Sequence, residues 1–110
     1  MSFDTVFGFD AASDKFHFGQ AVTGLDAPIT VGALSAAGFD GDLSAAIGAS
    51  QLLAGHAVLF TPSSGDFSGH GDNFLIVDAN GVAGYQAGAD YVIDLHNIAN
   101  IGSLSTGDFI

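Results

Sequence analysis

The chain has no cysteine, no tryptophan and no glutamate, and it carries a single basic side chain, Lys15. Without cysteine there is no disulfide framework, no thiolate metal site and no cysteine nucleophile. One lysine cannot neutralise a phosphate backbone, which argues against a nucleic-acid partner, and an anionic membrane surface repels so acidic a chain. No apolar run approaches the ~18 residues that a membrane-spanning helix needs. The opening residues, MSFDTVFGFD, have neither a basic segment nor an apolar core of the kind that a secretory signal peptide uses. The expectation is a protein that stays inside the cell or leaves by a route that reads no N-terminal signal.

What is present is equally one-sided. All 12 acids are aspartate, and the formal net charge is −11 at pH 7. Aspartate is a poor helix former but suits turns, helix N-caps and short-armed cation cages. The sign favours a cation partner, Ca²⁺ first; a solubilising acidic surface is the plain alternative. The 110 residues are enough for one core, and at 48% hydrophobic they are not a disordered chain. Sixteen glycines with many phenylalanines and β-branched residues point to a turn-rich β fold.

Along the chain, TVFGF (5–9) and KFHFG (15–19) alternate, and DAASD (10–14) between them reads as a tight turn. A β-hairpin is expected, with Phe16 and Phe18 on one face and Lys15 and His17 on the other. Residues 20–35 read as loop with a short strand at Ile29–Val31. FDGDLSAAIGASQL (39–52) holds the one helix, near 42–49, with Asp42 as its cap and Leu43, Ala46 and Ile47 on one face. Ala57–Thr61 is a buried strand ended by Pro62. Residues 63–73 are a Gly/Ser/Asp loop. FLIVDANGVAGYQ (74–86) reads as a hairpin about Asn80-Gly81, and 90–98 as a further strand. The strands are apolar on nearly every residue, so the expected fold is mainly β: a single domain, 1–110, forming a small β-sandwich or jelly-roll-like sheet pair with one short helix. A closed small β fold with the helix over one opening is the alternative.

Four histidines (17, 56, 70 and 96) and many aspartates could supply a base or a zinc site, but there is no HExxH and no GxSxG. Ordinary surface or strand histidine is the reading, with no catalytic residue and no enzyme. Oxygen donors cluster at three places. Asp4, Asp10 and Asp14 bracket the first expected hairpin; Asp66, Asp72 and Asn73 punctuate the Gly-rich loop; Asp78, Asn80 and Asp90 surround the Asn-Gly turn. Ca²⁺ takes six to eight hard oxygens. The candidate calcium ligands are therefore Asp4, Asp10, Asp14, Asp72, Asp78, Asn80 and Asp90. DANG resembles the start of an EF-hand loop, yet Ala89 stands where the closing acid belongs, so that match fails. SGHGDNFLI (68–76) echoes one β-roll nonapeptide, and a single copy cannot build a site shared between stacked turns.

Three stretches together resemble a known family. DTVFGFDAASDKFHF (4–18) is similar to the segment that follows the nonapeptide array of bacterial RTX proteins. DNFLIVDANGVAGYQAGADYVIDLHNI (72–98) resembles their C-terminal hairpin region, including the serralysin tail, and SLSTGDFI (103–110) their extreme C-terminus. The resemblance is to RTX C-terminal domains of the bluetail kind found on surface proteins, and it covers the two ends of the chain. It implies a non-enzymatic domain of a type I secreted, extracellular or cell-surface protein. The signal would be Asp108, Phe109 and Ile110, read by the secretion machinery, and Ca²⁺ would be the cofactor, with Asp4 and Asp14 best matching the pattern that closes a β-roll site. The tandem nonapeptide repeats themselves are absent. Two other readings remain open: a secreted ligand-capturing protein, for instance a haem binder using His70, Tyr85 or Tyr91, and a surface self-assembly or adhesion module. Phe109 and Ile110 can also be the last half-strand of the core.

Overall fold

A computed structural model describes residues 3–17 and 22–109 of the chain; Phe18 and Ile110 lie outside the described residues. Five strands form one mixed sheet: β1 (Asp4–Phe7), β2 (Gly24–Leu25), β3 (His56–Phe60), β4 (Asp72–Val77) and β5 (Tyr91–His96), in the order β1-β5-β4-β3-β2. The three central strands are antiparallel neighbours, with Phe60 opposite Phe74 and Leu75 opposite Ile93. Both edge strands run parallel to their partners, β1 along β5 and β2 along β3. Helix α1 (Phe39–Ala46) and two 3-10 turns (Ile101–Ser103 and Thr106–Asp108) complete the elements. No helix among the described residues is long and apolar enough to cross a membrane.

The protein is mainly β with one short α-helix, as its composition predicts. The layers that cover the sheet are built differently from a sheet pair. Side chains alternate along β3, β4 and β5, and both faces are buried. Ala57, Leu59, Leu75, Val77, Ile93 and Leu95 face one core, closed by Phe9, Ala11, Phe16, Val22 and Leu104. Val58, Phe60, Phe74, Ile76 and Val92 face a second, closed by Leu34, Leu52 and Tyr85 and by Phe39, Leu43 and Ile47 of the helical segment. Continuous apolar strands thus arise from one sheet between two non-sheet layers, an arrangement that period-two patterning cannot distinguish from a sandwich.

The first expected hairpin does not form. The 5–9 segment pairs with β5 instead, and the chain continues beside it through Gly8 N–H to the His96 carbonyl (3.1 Å) and Ala11 N–H to the Ala99 carbonyl (3.0 Å). Residues 10–14 do turn, but Phe16 then bridges to Phe109 at the other end of the chain. The 74–86 hairpin is corrected in the same way. Asn80-Gly81 does turn locally, with the Asn80 side chain accepting from Val82 N–H at 3.0 Å. The segment after it is no strand, because Tyr85 is drawn to the second core; β4 pairs with β5 across the whole 78–90 loop. The strand expected at Ile29–Val31 reduces to an isolated bridge between Ile29 and Phe60.

The helix begins three residues earlier than its pattern predicts. Gly38 is the N-cap, and Asp42 lies inside the first turn with Asp40, where acids suit the helix dipole. The Asp42 carboxylate instead holds the preceding loop, accepting from Ser35 N–H (3.0 Å) and Ser35 Oγ (2.9 Å).

Candidate functional site

Most aspartates of this chain serve as braces. A carboxylate that accepts a backbone N–H satisfies a loop group no strand partner reaches. Asp26 accepts from Leu53 N–H at 2.9 Å and also bonds His56 Nδ1 at 2.9 Å. Asp66 accepts from Ala36 N–H at 2.9 Å. Asp10 takes Ala12 N–H (2.9 Å) and Asn100 Nδ2 (2.7 Å), while Asp14 takes Asp10 N–H (2.8 Å). The Asn100 and Ala12 bonds hold the Asp10 carboxyl below its ordinary value.

The candidate calcium ligands fall into separate groups. Asp10 and Asp14 share the 10–14 turn. Asp78, Asn80 and Asp90 meet at the neck of the 78–90 loop. There, buried Asp78 accepts from Gly55 N–H (2.6 Å) and Asn80 N–H (3.3 Å), and Asp90 from Ala79 N–H (3.0 Å) and Gln86 N–H (2.8 Å). Burial raises the Asp90 carboxyl, the two backbone donors oppose this, and the neighbouring Asp78 adds to the rise. Asp4 is exposed on β1 and lines an open hollow of about 440 Å³ with His17, Asp90 and Tyr91. Of the haem-ligand candidates, His70 is exposed on its loop, Tyr85 is buried and donates its hydroxyl to Asp40 at 2.7 Å, and Tyr91 borders that hollow.

Asp72 belongs to a different kind of place. It lies opposite His96 across the β4–β5 ladder, and Asp94 sits two residues along β5 on the same face. The three residues offer ligand atoms that all lie within 4.8 Å of one another, the one such group of metal-ligating side chains among the described residues. His96 Nδ1 bonds Asp72 Oδ1 at 2.7 Å. Asp94 is 5% exposed, and its Oδ1 is buried with no hydrogen-bond partner. Burial first, and then the Asp72 carboxylate, push the Asp94 carboxyl up to about 7; His96 pulls the other way.

The surrounding backbone fixes this end of the ladder. Gly71 (φ +81°) and Asn97 (φ 57°) both adopt left-handed conformations just beyond Asp72 and His96, joined by Asn97 N–H to the Gly71 carbonyl at 2.9 Å. The positive φ of Gly71 is what favours glycine there, and an added Cβ would also push Asn97 Oδ1 aside. The Phe7 ring meets the His96 ring edge-on at 5.3 Å and forms a wall on the β1 side. Asp94 was not among the sequence candidates, and His96 was weighed there only with the other histidines and read as an ordinary strand residue. Their signal was two polar residues of equal parity in an otherwise apolar strand, YVIDLH.

The tail is also docked. Asp108 is buried, accepting from Lys15 Nζ at 3.1 Å and from Ser105 N–H at 3.0 Å, and its carbonyl accepts from Phe16 N–H at 2.6 Å. Phe109 stacks on Phe16 at 5.4 Å, and Phe16 on Phe9 at 4.2 Å. The chain matches no protein-family model, no curated protein and no solved structure.

Proposed function

We propose that this chain is the non-enzymatic C-terminal domain of a type I secreted, extracellular or cell-surface protein of the RTX bluetail kind, exported by recognition of its terminal residues. The observation that supports this most is the docked tail. An acidic-apolar end is useful as an address only while it is accessible, and here Asp108 and Phe109 are packed against Lys15 and Phe16. A signal placed there is legible in the unfolded chain and concealed in the folded one. A net charge of −11 acts in the same direction, since mutual repulsion disfavours the compact state until cations screen or bridge it. In this reading Ca²⁺ outside the cell promotes folding, with the Asp-rich turns as its points of contact.

The test is export from a cell that carries a type I exporter. The full chain should accumulate outside, and a chain ending at Gly107 should stay inside. Equal secretion of both overturns the proposal. Calorimetric titration with Ca²⁺, with Mg²⁺ and a chelator as controls, decides the cofactor separately: a flat trace removes Ca²⁺ and leaves export standing.

A further inference from the structure

Asp72, Asp94 and His96 bring two carboxylates and one imidazole together where β4 meets β5. We propose that these three side chains bind a divalent transition-metal ion, with Zn²⁺ as its representative. The inference is independent of the export reading.

Three observations lead to it. The first is convergence: the ligand atoms lie within 4.8 Å of one another. Donors around a tetrahedral Zn²⁺ are about 3.4 Å apart, given bonds near 2.1 Å, so the set would have to draw in only slightly around an ion. The second is an orphaned acceptor. The Asp94 side chain is almost wholly buried, and its Oδ1 has no partner, although buried carboxylate oxygens elsewhere in the molecule are braced by backbone N–H groups. An unsatisfied oxygen of this kind is costly unless something positive reaches it. The third is the shortage of side-chain cations. Lys15 is the only lysine or arginine in the chain, and it is held by Asp108.

The donor set selects the ion. An imidazole with two carboxylates suits borderline metals such as Zn²⁺, whereas Ca²⁺ prefers oxygen-only shells of six to eight ligands. The position on a ladder, opened by Gly71 and closed by Asn97, makes the geometry rigid. Three protein ligands leave at least one coordination position for water or for a donor from another molecule.

The experiment is calorimetric titration of the full chain, stripped of metal, with Zn²⁺ at neutral pH in the presence of excess Ca²⁺. One Zn²⁺ should bind per chain. Asp94→Asn and His96→Gln should each weaken binding by more than the roughly 10–100-fold that loss of an outer-sphere partner costs. His70→Ala, on the exposed loop nearby, should leave it unchanged. No binding in the wild type, or full binding in both ligand variants, overturns the proposal. Should either variant fail to fold, imidazole NMR of the wild-type chain decides the matter. Zn²⁺ must move the His96 ring signals; movement confined to His17, His56 or His70 overturns the site.

Discussion

The neck of the 78–90 loop and the far end of the β4–β5 ladder are each built on two neighbouring aspartates, and they solve the problem of close negative charge in opposite ways. At the neck, Asp78 and Asp90 receive four backbone N–H groups, from Gly55, Asn80, Ala79 and Gln86. The carboxylates there do the work of a missing strand, stapling a long connection to the sheet. At the ladder end, the imidazole of His96 bonds Asp72 alone, and Oδ1 of Asp94 receives nothing. Aspartate is one residue type, but backbone donors make it a brace and their absence makes it an open acceptor. In a chain with a single lysine, this distinction takes the place of the usual one between paired and unpaired ions.

The contrast can be broken from either side. The largest effect should come from Asp78→Ala, which strands the Gly55 and Asn80 amides in a half-buried neck. We expect a loss of about 2–3 kcal/mol by urea denaturation, and a loss indistinguishable from zero would show that the brace is dispensable. Asp94→Asn should act in the opposite direction. With chelator present, the native carboxyl keeps its proton up to about 7 against an ordinary value of 3.8. Between those values the folded state binds more protons than the unfolded one, so this group makes wild-type stability fall as pH rises from 4 to 7 and level off above. The variant should lack that slope and exceed the wild type above pH 7 by about 1–2 kcal/mol. Thermal melts of the pair across this range check it, and parallel curves would contradict it. The smallest effect belongs to Lys15→Met. Lys15 is half exposed and Asp108 is nearly buried. The variant should lose about 1 kcal/mol at low salt and less at high salt, because Asp108 keeps its Ser105 amide and solvent screens the pair. A loss independent of salt would assign the contribution to packing.

The central strands were legible because they are apolar on both faces, a signal that survives ignorance of what covers them. Their pairing was not legible. Asn80-Gly81 announces that a tight turn can form, but not that the chain beyond it returns to the sheet; Tyr85 has a place in the second core, and that decides the path. The first hairpin is likewise replaced by a long-range arrangement, in which Phe16 stacks on Phe9 and Phe109 and bridges to the latter. The helix start moved because Gly38 can cap while Asp42 is engaged by Ser35. Among the site residues, Asp72 was visible as one acid in a loop rich in them. Asp94 and His96 were hidden inside a strand whose apolar neighbours dominated the pattern, and only the register with β4 shows that they face Asp72.

The Lys15–Asp108 contact spans 93 residues of chain, and the parallel alignment of β1 with β5 also joins distant segments. Neither can form from a nearby turn. Closing such large loops carries an entropic cost before any contact repays it, which places folds of this topology among the slow two-state folders, in the range of about milliseconds to seconds. The first core is closed by segments that lie far apart in the sequence, Phe9 and Phe16 on one side and Leu104 and Phe109 on the other. The clasp therefore ties the stability of the first core to contacts that no local segment can hold by itself.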